Sequence, residues 1–325
     1  MIKRIVFILF VVSVFANGYS INDKRKKIKV LIVDGQNNHN VWPKSTIMMK
    51  QYLEETGLFQ VDIARTKYLY NSKRFSDWLA LADVEKGVEG KPKTDPDFCP
   101  KFKKYDVVIS NFGYNAASWS EKTQQKFEKY MKKGGGFVSV HAADNSFPEW
   151  TAYNEMIGIG GWGGRTEKHG PYLYVDKNND LKRDYTEGKG GRHGKREAFL
   201  VTNYNATHAI TQGLPKAWMH ANDECYAFMR GPAKNITVLS MAASRLKKPE
   251  LEQKEPVVMT VNYGKGRIYH TTLGHDVEAF ECVGFITLLK RGTEWAATGS
   301  VSQTEIPKDF PSETEVSRRK FELKK

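Results

Sequence analysis

The stretch 132-KKGGGFVSVHAADNSFPEW-150 decides how this chain is read. Three glycines lead into an apolar strand, Phe137–Val140, and the strand stops on His141. Strand ends in α/β enzymes often carry a nucleophilic serine or cysteine, so a histidine there asks for a different chemistry. Upstream, Ile28–Val33 (IKVLIV) is a continuous apolar run, the mark of a strand buried on both faces, and it ends in a polar loop from Asp34 to His39. A helix is expected over Ser45–Thr56 with Gly57 as its stop, then a strand over Phe59–Ala64 and a short helix around Phe75–Leu81. Tyr105–Ser110 reads as a third strand ending at Asn111, followed by a helix over Ser120–Lys132 capped by Ser120. This alternation with short polar connections predicts an α/β fold, a mostly parallel sheet with helices on both faces.

Downstream of residue 150 the chain is richer in glycine. Hairpin strands are expected at Tyr172–Val175 and Phe199–Val201, further strands at Ile236–Met241 and Pro256–Tyr263. Arg267–Leu273 reads as a late strand running into Gly274-His275-Asp276, and a last helix covers Cys282–Ala296. After Gly299 the sequence is charged and punctuated by proline, which reads as a loosely held tail over 300–325.

A length of 325 residues with 40% hydrophobic and 12% aromatic content indicates a folded chain with a sizeable core. Lys3 and Arg4, the apolar run Ile5–Phe15 and the small residue Ala16 form an export signal over 1–18, leaving an α/β domain over 25–299. The apolar run is short for a bilayer span and no second one follows, so stable membrane insertion is not expected. No cysteine lies near the cut to carry a lipid. The expected location is periplasmic or secreted. The formal charge of +13 falls by two once Lys3 and Arg4 leave. Lysines alternate with acids along the chain and no nucleic-acid-binding motif is present, which argues against nucleic acid as a partner. Oligomeric state is not legible. Cys99, Cys225 and Cys282 are odd in number; one pair is allowed, and their spacing matches no metal or redox motif.

In an open parallel sheet, ligands bind beyond the carboxyl ends of the strands. Those ends here carry Asn38 and His39, Asn111, His141 and Asp144, and His275 and Asp276. If the strands are parallel neighbours, three imidazoles and two carboxylates meet in one crevice. Such histidines can transfer protons near neutral pH or ligate a divalent metal such as zinc. No local pair has His-x-x-x-His spacing, so a metal set of His39, His141 and His275 would be assembled from distant segments. His141 alone also fits a hydrogen-bonded supporting group. In 220-HANDECY-226, Glu224 is a candidate general base, whereas Asp223 reads as a turn or cap residue. His208 precedes a Gly-Leu-Pro turn. His169 and His193 each precede a glycine that lets the backbone present a ring to the cleft; ordinary loop histidines fit the same pattern. Trp42, Trp150 and Trp162 are candidates for stacking on sugar faces, with core roles the alternative.

Two local motifs are set aside. Gly188–Gly194 has the glycines of a phosphate cradle but lacks the following helix, and reads as a flap over the cleft. Asp176–Glu187 has calcium-loop spacing but carries Leu181 where glycine is required, and reads as a hairpin turn.

Taken together, 35-GQNNHNVW-42, 134-GGGFVSVHAADNSFPEW-150, 153-YNEMIGIGGWGGR-165, 169-HGPY-172, 208-HAITQGLP-215, 220-HANDECYAFMRGPAKNITVL-239, 264-GKGRIYHTTLGHD-276 and 291-RGTEWAATG-299 resemble the trehalose-utilisation, or ThuA-like, family. The resemblance implies a flavodoxin-like fold akin to class I glutamine amidotransferases. In that wider group the strand matching Phe137–Val140 leads into an elbow bearing a catalytic cysteine. Here His141 stands at that place, which argues against amidotransferase chemistry. The resemblance also implies a role in carbohydrate metabolism, with relatives linked to 3-keto sugars. The expected function is therefore an enzyme acting on glycosides or 3-keto-glycosides. His141 or Glu224 would serve as base, and His275 and His39 would polarise the carbonyl directly or through a metal. Asn38, Trp42, Asn111, Asp144, Trp150, His169, His193, His208 and Asp276 would line the sugar site. The alternative is a non-catalytic sugar-binding protein using the same crevice.

Overall fold

The computed structural model describes residues 26–246 and 253–324; the signal-like segment 1–18 lies outside them. The first half alternates as expected: β1 (Ile28–Gln36), α1 (Trp42–Glu54), β2 (Phe59–Tyr70), β3 (Val88–Glu89), β4 (Val107–Ser110), α2 (Glu121–Lys132), β5 (Gly136–Val140) and α3 (Thr151–Ile157). The second half is rich in strands: β6 (Tyr172–Val175), β7 (Leu181–Asp184), β8 (Arg192–His193), β9 (Glu197–Asn203), β10 (Ala217–Asp223), β11 (Tyr226–Ala227), β12 (Ile236–Ala242), β13 (Glu255–Tyr263) and β14 (Gly266–Thr271). Helices α4 (Val277–Glu281) and α5 (Val283–Thr298) follow.

One ten-stranded sheet runs β10-β9-β12-β13-β14-β5-β4-β1-β2-β3. From β14 to β3 every neighbouring pair is parallel, and from β10 to β14 every pair is antiparallel. The fold is thus α/β on a large central sheet, and the strands expected to end side by side do so. Helices α1 and α5 cover one face, packing Met48, Leu53, Phe285 and Leu289 over β1, β4 and β5. Helices α2 and α3 cover the other with Phe127, Met131, Tyr153 and Met156. Both faces of β1 are therefore filled, which explains its unbroken apolar run.

Several elements differ from the sequence reading. Strand β1 runs through Asp34 rather than ending there, because that carboxylate is fully buried and paired with Arg65 at 2.8 Å and Thr46 at 2.9 Å. Strand β2 continues to Tyr70, well past Ala64. Ser120 does not cap α2; its hydroxyl meets the Thr123 hydroxyl instead. Strands β6 and β7 form a hairpin across the calcium-like segment, where Asp176 Oδ1 accepts the backbone N–H of Asn178 and Asp180, and Lys182 already sits against both carboxylates. The three cysteines are free.

The largest correction concerns the tail. Residues 300–324 do not hang loosely. The Ser312 carbonyl accepts from Met219 N on edge strand β10, Arg319 N donates to the Glu281 carbonyl, and Phe321 is buried against Tyr52 and Trp78. No helix among the described residues is long and apolar enough to cross a membrane.

Candidate functional site

His141 stands on a sharp turn at the end of β5. Strand β5 ends at Val140 and the chain turns at once into a short 3₁₀ turn, His141–Asn145, with His141 at φ +47°. A non-glycine residue held in the left-handed region costs of order 1 kcal/mol or more and persists where surrounding contacts over-determine it. Here His141 Nδ1 donates to the Thr272 carbonyl at 2.6 Å at the end of neighbouring β14. That bond fixes the tautomer and leaves Nε2 as an acceptor, which takes the Tyr226 hydroxyl at 2.9 Å.

Two further imidazoles reach the same point from the ends of β1 and β14. Ring centroids lie 4.8 Å apart for His39 and His141, 4.4 Å for His39 and His275, and 5.5 Å for His141 and His275. Gly274 makes the turn that delivers His275: its φ of +120° suits glycine, and its N–H donates to Asp223 Oδ2 at 2.7 Å. His39 is steadied by Asn38, whose amide nitrogen lies 3.3 Å from His39 Nε2 while its Oδ1 accepts Tyr114 N. Gly113 allows that approach, since a Cβ there would stand 2.6 Å from Asn38 Oδ1.

Glu224 joins the rings. Its Oε1 is 3.1 Å from His275 Nε2 and 3.4 Å from His193 Nδ1, and its Oε2 is 4.0 Å from His39 Nε2. Burial raises its pKa, but hydrogen bonding to His275 and the charges of the surrounding histidines outweigh that and hold it below the usual carboxylate value. Burial and the neighbouring rings press His39 well below the ordinary imidazole value. Burial likewise lowers His141, against the pull of Asp223 and Glu224. Glu224 as a carboxylate, with His39 and His141 neutral, is the resulting state at neutral pH.

Asp223 is more than a turn residue. Fully buried, it accepts His220 Nε2 at 2.8 Å and the backbone N–H groups of Glu224, Gly274 and His275, so it locks the two loops bearing Glu224 and His275 together. Burial opposes its charge, yet the His220 contact holds its pKa at about 2.

Of the residues expected at the site, the fold gathers Asn38, His39, His141, His193, Glu224 and His275, with Asp276 at the rim in contact with Arg196. Six others lie elsewhere. Trp42 is fully buried with its indole N–H on the Tyr70 carbonyl, and Trp150 is packed in the core with its N–H on Glu128. Asn111 is buried and donates to Trp42 O, Ser45 and Thr46. Asp144 is buried against His270 at 3.1 Å. His169 closes a local capping box with Thr166, and His208 lies on Trp295 of α5. Trp162 does reach the site, 4.8 Å from the Tyr226 ring and 5.8 Å from His193. The segment over Gly188–Gly194 is tied down rather than free: Gly190 bonds Trp162 and Arg165, and Gly191 bonds Phe228. Tyr226, Asn145 and Thr272 join the site without standing among the candidates the sequence offers; a tyrosine two residues after Glu224 is the one available signal.

Beside His39 and His275 opens a cavity of ≈ 480 Å³, rimmed by Asn38, Arg74, Arg196, Asp276 and Glu278. That size suits a small sugar, and its polar rim suits hydroxyl groups. Another cavity, ≈ 450 Å³, is lined by Lys101, Lys122, Lys126, Lys129 and Tyr130, but its lining holds neither imidazole nor carboxylate. The chemistry belongs to the first.

Fold and site together define an α/β protein whose imidazole–carboxylate cleft sits at the carboxyl ends of parallel strands. The chain belongs to the ThuA family, described as trehalose utilisation, whose model matches residues 29–296. It is similar to a putative ThuA-like protein of Parabacteroides merdae ATCC 43184, at 40% identity over 91% of this chain and 98% of that one, with a TM-score of 0.77. A putative ThuA-like protein of Bacteroides uniformis ATCC 8492 shares the fold at 19% identity over 88% and 97% of the two chains, with a TM-score of 0.52. No curated protein matches the chain.

Proposed function

We propose that this protein is an exported carbohydrate-active enzyme that acts on a glycoside or 3-keto-glycoside by histidine and carboxylate acid–base chemistry. One observation carries the reading: His39, His141, His275 and Glu224, from four separate segments, converge on one point beside a sugar-sized cavity. The family description supports carbohydrate as the substrate class. The signal-like sequence over 1–18 supports export. The parallel strands, taken in chain order without the two-residue β3, lie in the order 2-1-3-4-5, which supports a flavodoxin-like, amidotransferase-related architecture.

In a 3-keto-glycoside the carbonyl acidifies the C2–H bond. Removal of that proton forms an enolate; its electrons make the C1=C2 bond as the C1–O bond breaks, and the departing oxygen takes a proton. His275 suits the base role better than His141 or Glu224. Both nitrogens of His141 are engaged, by Thr272 and Tyr226. Glu224 is held as a weakly basic carboxylate. His275 lines the cavity and is oriented by Glu224, and its Nδ1, buried and without a hydrogen-bond partner among the described residues, would meet the substrate on a turn of the ring. His39, on the same cavity wall, would lie beside the carbonyl oxygen.

The test is turnover of 3-keto-disaccharides and of the parent disaccharides by wild type and by His275→Ala. Loss of a positioned base is expected to lower kcat by about 10²–10⁴-fold with sugar binding retained. Unchanged turnover in His275→Ala removes the proposed base. Wild-type protein that binds these sugars and converts none of them replaces the enzyme reading with the sugar-binding one.

A further inference from the structure

Glu224 divides its two oxygens. Oε1 faces His275 and His193, while Oε2 faces His39. On that second side, one donor atom from each of His39, His141 and Glu224 lies within 4.8 Å of the others. The His39 nitrogen on this side is Nε2, 4.0 Å from Glu224 Oε2. Asn38 Oδ1 accepts Tyr114 N, which fixes the amide so that its NH₂ faces His39 Nε2. Nε2 is therefore the nitrogen with the lone pair, and the ring proton sits on Nδ1, which is buried without a hydrogen-bond partner.

We infer that this side of the cleft is a binding site for one divalent transition-metal ion of the Zn²⁺ type, held by His39, His141 and Glu224. The inference deepens the function proposed above and rests on its reading of the cleft as the reactive centre. Two imidazoles and one carboxylate are a donor set that zinc takes in hydrolytic and lyase sites, with a fourth position left for water or substrate. Bonds of about 2.0–2.2 Å in tetrahedral geometry need donors about 3.3 Å apart, so small side-chain rotations close the present group onto an ion. His141 already has the outer support of a ligating imidazole: its Nδ1–H is spent on the Thr272 carbonyl, and its Nε2 lone pair faces the cleft. The Tyr226 hydroxyl on that lone pair would pass to the open coordination position. An ion there would polarise a bound carbonyl, while His275, hydrogen-bonded to Glu224 from the other side, remains free to move a proton. The set differs from the one expected from sequence, with Glu224 in the place of His275.

The test uses the full chain, stripped with chelator and titrated with Zn²⁺ by calorimetry, and with Co²⁺ to read coordination from its visible spectrum. One ion per chain is expected. His39→Ala and Glu224→Gln should each weaken binding about 100-fold or more, His275→Gln about 10-fold through the lost support of Glu224, and His208→Ala not at all. Zinc uptake far below one per chain, or unchanged affinity in a folded Glu224→Gln variant, overturns the site. Should a variant fail to fold, the wild-type Co²⁺ spectrum decides: tetrahedral nitrogen–oxygen bands support the site, and the spectrum of the hydrated ion overturns it. Keto-sugar turnover by a protein that binds no ion sinks the metal site and leaves the enzyme reading. Stoichiometric zinc without turnover of any sugar does the reverse.

Discussion

Asp223 shows how much a single buried side chain sets at this site. Its two oxygens take four donors, from His220, Glu224, Gly274 and His275. Asp223→Ala therefore strands an imidazole and three backbone N–H groups, a loss of about 3–5 kcal/mol by urea titration. Asp223→Asn should keep part of that, since one amide oxygen still accepts. Equal stability of wild type and Asp223→Ala would remove the locking role. Residues of this kind explain which site positions were legible. His39, His141, His275 and Glu224 stand out because polar groups end apolar strands or sit in a polar loop. Trp42, Asn111, Asp144 and Trp150 stand at the same ends yet point into the core, and sequence gives a residue's position along a strand before it gives the direction of its side chain. Asn145 carries no pattern at all, and Tyr226 only its place two residues after Glu224.

At the scale of elements, the long apolar strands were plain and the short polar ones were not. Strands β8 and β11 are stabilised by each other across more than thirty residues, and β7 by its hairpin with β6, rather than by their own composition. The tail is the clearest case: its charges and prolines suggest looseness, but one phenylalanine and several backbone groups pin it. Arg291 of α5, almost fully buried, donates to the carbonyls of Gln303, Thr304 and Glu305 as well as to Ile210 and Gln212. Phe321→Ala should cost about 3 kcal/mol, and deletion of residues 301–325 more, because it also strips acceptors from a buried guanidinium. Chemical denaturation of the two variants checks the order; a deletion milder than the point change contradicts the packing. The other end of α5 offers a pH readout. His208 lies on Trp295, burial lowers its pKa from 6.5, and its Nδ1 accepts Ile210 N, which requires the neutral ring. The unfolded chain takes up that proton more readily, so stability falls as pH drops from about 6.5 through the lower folded-state value. His208→Gln should flatten that part of the stability–pH curve, as measured by urea midpoints from pH 7 to 5.

At the scale of the molecule, the cleft belongs to neither half alone. His39, His141 and His275 follow strands of the parallel half, whereas Glu224, Tyr226 and His193 come from the antiparallel side and its small β8–β11 pair. The halves meet at β14, which pairs parallel with β5 and antiparallel with β13, so the sheet is continuous through the seam. An unfolded or half-folded chain cannot assemble donors drawn from residues 39, 141 and 224. A ligand of that cluster must then bind the native state alone and stabilise it by mass action. At a free Zn²⁺ concentration of about 100 times Kd the gain is about 2.7 kcal/mol, which for a chain of this size raises Tm by about 4 °C. The rise should appear in one calorimetric transition, because both halves must be in place for the donors to meet. Two transitions, with zinc shifting only one, would mean that one half carries the ion by itself and that the meeting of the halves at β14 does not build the site.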